Sequence, residues 1–168
     1  GIAWGIVTLL LDAGKGFLPV LLSREFLQGA ELWPFAVGIC ALCGHQFSVF
    51  RRLHGGKGVA TALGIYLAFS PMSRLACGIS LLLFLALVYR WKYVSLGSVV
   101  SSAFMPLLLA LFGEPWSVVG GSAVVSALIV LKHKDNLARL RMGTENSWRR
   151  GKENQERASR SLSSSSSE

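Results

Sequence analysis

The sequence predicts an all-α polytopic membrane protein with six transmembrane helices. Hydrophobic residues make up 52% of the 168 residues, charged residues make up 15%, and the mean hydropathy is +0.49. A soluble domain does not need so much apolar surface. Most of the apolar stretches approach the ~20 residues that cross a bilayer. They are Ile2–Leu22, Leu32–Phe50, Gly58–Phe69, Leu75–Tyr89, Val94–Phe112 and Trp116–Leu131.

The third stretch is short enough for a re-entrant segment, so its crossing is judged from the charge distribution. Short cytoplasmic loops concentrate Lys and Arg. Fourteen of the seventeen basic residues lie in the Arg51–Lys57 loop, the Arg90–Lys92 turn and the chain from Lys132 onward. The third stretch is therefore expected to cross, which places these segments and the C-terminus in the cytoplasm. The intervening connections carry two positive and three negative charges, at Arg24, Glu25, Glu31, Arg74 and Glu114.

The net charge of +8 follows from this topology and from attraction to anionic lipids, so no nucleic-acid partner is expected. After about Ser147 the chain is polar and ends in a serine run that cannot bury apolar area. We therefore expect a membrane catalytic domain over residues 1–147 and a disordered, basic, Ser-rich cytoplasmic tail over residues 148–168. Because Gly1 lies within helical sequence, an upstream portion is also expected.

A basic, glycine-rich loop joins the second and third stretches within the segment Gly44 to Thr61. Three glycines let backbone N–H groups approach an anion, Lys57 adds a charge, and the next helix offers its positive end. This pattern predicts a phosphate ligand at a membrane surface, although it is also typical of a flexible connector. Lys57 is not followed by Ser or Thr, so the loop is not a nucleotide P-loop. The three glycines are Gly55, Gly56 and Gly58.

Ionisable residues also occur at the helices. Asp12 and Lys15 lie three apart in the first helix, where charges are costly unless they are paired or face a polar cavity. A mutual or interhelical pair is the plain alternative to a functional role. His45 is compatible with an ordinary histidine at a helix end.

The cysteines favour packing over chemistry. Cys40 and Cys43 form a Cys-x-x-Cys inside an apolar helix, and Cys77 is distant. Without a second pair, a metal or redox site is the weaker alternative, and neither a metal nor a disulfide is expected.

The segment from His133 to Glu145 follows the last apolar helix on the same predicted face as Lys57. If it is helical, His133 and Asn136 share a face at i,i+3, which suits the orientation of a polar substrate. Gly143 can then turn the chain back before Thr144 and Glu145. The alternative is a basic juxtamembrane helix.

Together these segments resemble the bacterial acyl-phosphate-dependent glycerol-3-phosphate acyltransferases. Residues 44–61 resemble the family motif Gly-His-x-Phe-Pro-x-Phe-x-x-Phe-Lys-Gly-Gly-Lys-Gly-Val-Ala-Thr, with Ser48, Leu53 and His54 differing. Residues 133–145 resemble His-x-x-Asn-Ile-x-Arg-Leu-x-x-Gly-Thr-Glu, with Leu137 replacing Ile. Residues 11–20 look like the family's second helix.

The resemblance covers residues 1–147 and implies seven helices with an outer N-terminus in the family. The family's first motif, Ser-x-Asn-x-Gly-x-Thr-Asn followed by an arginine, has no counterpart in this sequence. We therefore expect residues 1–168 alone to insert into the membrane without activity.

The implied reaction transfers a fatty acyl group from acyl phosphate to the 1-hydroxyl of glycerol 3-phosphate in the bacterial cytoplasmic membrane, without a cofactor. The resemblance assigns Lys57 and the loop glycines to a substrate phosphate, and His133 and Asn136 to substrate orientation. The hydroxyl proton could pass to His133, to His45 or to the leaving phosphate, and the last is favoured. The other motif positions are Gly44, His45, Thr61, Asp12, Lys15, Arg139, Gly143, Thr144 and Glu145.

The competing hypothesis is a small transporter or channel for an organic phosphate, with the basic loop and Asp12–Lys15 along a pathway. Such a protein is expected to carry polar groups at the midplane of several helices. The later helices instead hold small hydroxyl residues that predict helix packing. They include Ser80, Ser101, Ser102 and Ser126. The sequence makes no prediction of the oligomeric state.

Overall fold

The computed structural model describes residues 2–27, 32–48 and 55–147, and these residues form seven α-helices and no β-strand. Helices α1–α6 correspond to the six predicted apolar stretches, and α7 is the basic segment that follows. The predicted tail, Arg51, Arg52 and His54 lie outside the described residues. The helices are α1 (Ile2–Phe26), α2 (Leu32–Gln46), α3 (Val59–Phe69), α4 (Pro71–Trp91), α5 (Val94–Leu111), α6 (Trp116–Lys132) and α7 (Lys134–Arg141).

The predicted end of the second helix is wrong. It was expected to continue to Phe50, but α2 ends at Gln46, and Phe47 and Ser48 are not helical. The Gln46 side chain at the end of α2 instead binds Lys57, in the loop that precedes α3.

The start of the fourth helix also differs from the prediction. Ser70 caps α4 by accepting a hydrogen bond from the Ser73 N–H at 2.8 Å, and Pro71 occupies the first turn, where its fixed φ fits. Arg74 therefore lies inside α4, not in a connection. Arg24 and Glu25 likewise belong to α1.

Three helices, α1, α4 and α5, are long and apolar enough to cross a membrane. Helices α6 and α7 make a fourth candidate if they count as one span, although they bend by 58° at their junction. Helix α2 has 15 residues and α3 has 11, which makes α3 about 16 Å long. The all-helical membrane class agrees with the prediction, but helix length alone does not establish six spans.

Helices α1 and α3 pack at backbone distance through glycines. Gly16 lies against the Thr61 carbonyl and Gly64 lies against the α1 backbone, and a Cβ at either position would collide. Such small-residue contacts replace the hydrophobic effect in holding membrane helices together. Because Gly16 meets Thr61 while Arg24 meets Ala68, the two helices run in the same direction.

Two of the four predicted serine hydroxyls, those of Ser80 and Ser126, join neighbouring helices. The Ser80 hydroxyl donates across to the Ser101 carbonyl at 3.2 Å, and the Ser126 hydroxyl donates to the Ser102 carbonyl at 2.5 Å. Pro106 lacks the N–H that would normally bind the Ser102 carbonyl. Ser126 therefore satisfies an acceptor that the proline leaves open inside the bundle.

The cysteines differ in their surroundings. Cys77 is buried, Cys43 is half-buried and Cys40 is exposed, and all three are free thiols. The packing interpretation thus fits Cys77 and Cys43, while Cys40 lies on the outer surface of α2.

One end of the bundle is fastened by a polar cluster that we call the α3–α4 clasp, formed by Arg24, Ser70 and Glu114. The Arg24 guanidinium donates to the Ala68 carbonyl at 3.0 Å and lies 6.0 Å from the centre of the Phe69 ring. The Ser70 hydroxyl binds the Glu114 carboxylate. The clasp thereby ties α1 and the α5–α6 turn to the corner between α3 and α4.

Candidate active site

The glycine loop is fixed to the end of α2 by Gln46. The Gln46 side-chain amide donates to the Lys57 carbonyl at 2.9 Å, and the Gln46 backbone carbonyl accepts the Gly55 N–H at 3.2 Å. Gln46 is fully buried. Gly58 then caps α3 with a φ of 83°, a left-handed conformation that favours glycine. The described end of the loop, residues 55–58, is therefore held in place by α2 and by the start of α3.

The loop glycines have a packing role in addition to the predicted phosphate role. A side chain at Gly55 would meet the His45 and Gln46 backbone, and one at Gly56 would meet the His45 imidazole. The Gly55 N–H is already bound to Gln46. Phosphate binding by these glycines remains a prediction. It concerns the backbone N–H groups of Gly56 and Gly58, because that of Gly55 is already bound.

His133 lies at the bend between α6 and α7 and is only 1% exposed. Its Nδ1 lies 2.8 Å from the Ile129 carbonyl. A carbonyl can only accept, so Nδ1 carries the proton and Nε2 keeps a free lone pair in the neutral ring. Burial lowers the pKa of His133, and the Lys57 charge lowers it further, against the opposing effects of Ile129 and Glu145. The neutral imidazole is therefore favoured.

Asn136 is oriented by a carboxylate from farther along the chain. The Asn136 amide donates to Glu145 Oε1 at 2.6 Å, and Arg139 Nε donates to Glu145 Oε2 at 2.8 Å. Gly143, with a φ of 68°, turns the chain so that the Thr144 N–H reaches the Arg139 carbonyl at 2.9 Å. The predicted reversal at this glycine is confirmed, and it brings Glu145 back over α7.

Glu145 is buried and charged in this arrangement. Burial alone raises the pKa of its carboxyl group, but hydrogen bonds from Asn136 and Arg139 outweigh burial and leave the pKa below its usual range. The Ser95 hydroxyl lies near the same carboxylate but makes no hydrogen bond to it. Its proximity also favours the charged form of Glu145. The Glu145 carboxylate is thus bound to α7 and lies near the start of α5.

Lys57 lies close enough to this cluster to interact with it electrostatically. Partial burial lowers the pKa of Lys57, the Glu145 charge raises it, and the Arg139 charge lowers it. The Lys57 charge in turn acts on His133. The fold has therefore brought together two motifs that are far apart in the chain.

Asp12 and Lys15 form a mutual ion pair at 2.8 Å, which was the plain alternative to a functional role. The same Asp12 oxygen lies 3.6 Å from His45 Nδ1 on α2. Lys15 is 58% exposed and Asp12 is 22% exposed, so the pair lies at the surface, with Asp12 turned toward the cavity. Asp12 thereby connects α1 to the histidine that packs against Gly56.

These groups surround one end of a cavity of about 560 Å³. Its polar opening is lined by Asp12, His45, Gly56, Lys57, Gly58, His133, Asn136, Glu145 and Asn146. Beyond the opening it continues between α3, α4 and α5, where most lining side chains are apolar or are serines. They include Leu63, Tyr66, Cys77, Ser80, Leu81, Phe84, Ser98, Ser101, Ser102 and Met105.

Several predicted residues do not line the cavity. Thr61 is buried in α3, where its carbonyl lies against Gly16 of α1, and Gly44 lies on α2. Arg139, Gly143 and Thr144 shape the turn that holds Glu145, and Lys15 reaches the cavity only through Asp12.

Sequence reasoning missed Gln46 and Ser95. Gln46 occupies a variable position of the recognised motif, yet its place as an amide at the end of an apolar helix was a usable signal. Ser95 resembled the other small hydroxyl residues and gave no separate signal.

The comparisons with known proteins agree with this geometry. The sequence model described as glycerol-3-phosphate acyltransferase matches residues 1–143. A glycerol-3-phosphate acyltransferase of Geotalea daltonii is 45% identical over 146 residues, which cover 87% of this chain and 73% of the relative. The corresponding protein of Geobacter sulfurreducens is 44% identical over 145 residues, covering 86% and 73%.

Solved structures show the same fold. A crystal structure of PlsY (YgiH), an integral membrane glycerol 3-phosphate acyltransferase, in its glycerol 3-phosphate form matches with a TM-score of 0.81 at 34% identity. The match covers 87% of this chain and 72% of that one. The form with lysophosphatidic acid matches with a TM-score of 0.80. The protein is thus an all-helical membrane acyltransferase. It belongs to the glycerol-3-phosphate acyltransferase family.

Proposed function

We propose that the protein transfers a fatty acyl group from acyl phosphate to the 1-hydroxyl of glycerol 3-phosphate, giving lysophosphatidic acid and inorganic phosphate for phospholipid synthesis. One observation carries the proposal: a single cavity joins a polar opening, where Lys57 and His133 lie, to an interior lined mainly by apolar side chains and serines. An acyl phosphate has the same two parts, a charged head and an apolar chain. Membership of the family supports the acceptor.

The reaction needs alignment and charge stabilisation, because acyl phosphate is already activated. The 1-hydroxyl oxygen attacks the acyl carbonyl carbon, a new ester bond forms, and the bond from that carbon to the phosphate oxygen breaks. Inorganic phosphate leaves with the electron pair of that bond. Placing two anions side by side supplies proximity, and Lys57 opposes the negative charge that develops.

The neutral His133 ring suits the orientation of the acceptor. Its free Nε2 lone pair can accept a hydrogen bond from a hydroxyl group, and Asn136 adds an amide whose direction Glu145 fixes. The leaving phosphate takes the hydroxyl proton, so His133 need only position the hydroxyl group. Lys57 and the amides of Gly56 and Gly58 contact a substrate phosphate.

A transport function is disfavoured by the extent of the cavity. Its lining ends near Tyr66 and Met105 and includes no residue of the α3–α4 clasp. A pathway across the membrane would have to reach that end as well.

The decisive experiment uses the full natural chain that carries residues 1–168, reconstituted in liposomes with labelled glycerol 3-phosphate. Acyl phosphate, acyl-CoA and an acylated carrier protein are offered separately. We expect lysophosphatidic acid and inorganic phosphate in equal amounts, with acyl phosphate as the preferred donor. Preference for a thioester would overturn the donor assignment, and failure with all donors would overturn the function.

The topology is proposed on the charge distribution: six spans in this chain, with Lys57, the α6–α7 junction and the C-terminus on the cytoplasmic face of the bacterial cytoplasmic membrane. Single cysteines at His54, Trp116 and Ser163, in a background without native thiols, test it with an impermeant reagent. His54 and Ser163 should label from one side and Trp116 from the other. Labelling of the first two from opposite sides would refute a shared face.

The domain division is likewise a proposal, with residues 1–147 as the catalytic membrane domain and 148–168 as a dispensable tail. A stop after Ser147 in the full natural chain should leave kcat/KM unchanged. A loss above about tenfold would assign the tail a role in catalysis or substrate binding.

A further inference from the structure

The cavity has a closed floor at the end away from Lys57. Tyr66, Cys77 and Met105 line it there, and each of the three is at most 4% exposed. Behind them the Tyr66 hydroxyl is hydrogen-bonded to Ser122 of α6 at 2.8 Å. Four helices therefore meet at the floor. Nearer the opening, Leu81 of α4 is exposed, so the walls are less enclosed than the floor.

Contacts between α4 and α5 show that Cys77 and Met105 lie at the same depth. Ser80 reaches the Ser101 carbonyl, and Gly97 lies against Phe84. These pairs set the two helices antiparallel. Continuing the same register by one turn beyond Ser80 brings Cys77 alongside Met105.

The depth of the cavity can be estimated along α5. Ser95 faces Glu145 at the polar opening, and Met105 lies ten residues farther along the helix, or about 15 Å. With bonds of about 1.5 Å, an extended hydrocarbon chain advances about 1.3 Å per carbon, so about twelve carbons fill this length.

We propose that Met105 and Cys77 form a floor that determines which acyl-chain lengths the enzyme prefers, because the chain end meets their side chains. This inference rests on the proposed acyl transfer and adds the residues that select the donor. A chain that just reaches the floor gains the full apolar contact. A longer chain must bend toward the exposed wall at Leu81 or displace Met105, whose flexible thioether can yield only in part.

The first test measures kcat/KM of the full natural chain for acyl phosphates of about 8 to about 18 carbons. One missing or extra methylene in a closed apolar pocket changes kcat/KM by about tenfold or more. Met105→Ala should therefore raise the ratio of long-chain to short-chain activity by at least about tenfold. Met105→Phe should shift the ratio in the opposite direction.

Leu109→Ala is the matched control, because Leu109 is buried one turn along α5 but does not line the cavity. It should leave the chain-length ratio unchanged even if it lowers stability. A similar shift in Met105→Ala and Leu109→Ala would indicate general loosening of α5 and would overturn the floor proposal.

The second test does not depend on turnover or on changing Met105. Cys77 is alkylated with a small apolar thiol reagent in a Cys40→Ser, Cys43→Ser background, and the modified peptide is measured by mass spectrometry. Lysophosphatidic acids of increasing chain length are added first. Protection should appear only when the chain reaches about twelve carbons.

The two tests separate the possible failures. Suppose that acyl transfer to glycerol 3-phosphate occurs, that the ratio of long-chain to short-chain activity does not shift in the variants, and that protection of Cys77 does not depend on lipid chain length. This result would overturn the floor proposal and keep the proposed function. Absence of transfer with every donor would overturn the proposed function. Length-dependent protection would still support the floor as a lipid-chain site in that case.

Discussion

Polar side chains gather at both ends of the helix bundle, but their partners differ. At the α3–α4 clasp, Arg24 is bound to the Ala68 carbonyl, and the Ser70 hydroxyl binds the Glu114 carboxylate. At the opposite end, Lys57 and His133 line a cavity. The comparison shows that charge near a membrane helix end does not identify a site. A site is indicated where polar groups are held in place by other residues and still line an empty space.

The largest effect that would sharpen this comparison is expected at Lys57. Lys57→Ala in the full natural chain should lower kcat/KM for acyl transfer by about 100-fold or more, because it removes the charge that opposes the developing anion. Lys132 provides a matched control, since it lies at the same end, stacked 4.2 Å from the Phe47 ring, and does not line the cavity. If Lys57→Ala and Lys132→Ala lower kcat/KM by equally small amounts, Lys57 contributes to membrane topology and not to catalysis.

The next effect concerns the carboxylate that orients Asn136. Glu145→Gln should reduce kcat/KM by about 10-fold to 100-fold, because hydrogen bonds to a charged group contribute about 1.5–3 kcal/mol. Asn136→Ala should cause a similar loss while leaving membrane insertion intact. Asp135→Asn, in the first turn of α7, is the control and should change little. Insertion is checked by protease protection of the same preparations.

A smaller effect is expected in the titration of His133. Its pKa lies below the usual value of a histidine because of burial and the Lys57 charge. Removing that charge in Lys57→Gln should raise the pKa, and Glu145→Gln should lower it. NMR of labelled imidazole nitrogens measures both shifts. Unchanged titration in both variants would show that the two charges do not act on His133.

The same shift determines how His133 affects folding stability. In the unfolded chain, the His133 imidazole binds a proton at a higher pH than it does in the folded protein. The contribution of neutral His133 is therefore present above about pH 6.5 and is lost as the pH falls below that value. Acid should also reduce activity, since protonation removes the Nε2 lone pair.

The smallest effect on catalysis is expected at the clasp. Arg24→Met removes the hydrogen bond to Ala68 and leaves that carbonyl unpaired, which costs about 1–3 kcal/mol. Tm should fall by a few degrees, about 2–4 °C per kcal/mol for a chain of this size, while kcat/KM should stay constant. A large loss of activity at unchanged Tm would show that the clasp transmits changes to the cavity.

Much of the fold could be predicted because long apolar stretches in a sequence indicate membrane helices. The two recognised motifs identified the family. The pairing of Asp12 with Lys15 followed from their spacing. The contacts of Gln46 with Lys57 and of Ser95 with Glu145 did not, because they join residues that only tertiary packing brings together. The predicted helix ends were wrong at two places. At Gln46 a side chain binds the adjacent loop, and at Ser70 a side chain caps the helix.

The shortness of α3 has a consequence for competing reactions. Helices α3 and α4 leave the same corner at Ser70, but α3 is about 16 Å long and α4, with 21 residues, about 31 Å. The start of α3, next to Lys57, is therefore recessed by up to about 15 Å relative to the Trp91 end of α4. Acyl phosphate hydrolyses in bulk water. With the proposed acyl phosphate donor bound next to Lys57, a recess of this depth would limit the access of water as a rival nucleophile and would favour transfer to the acceptor over hydrolysis.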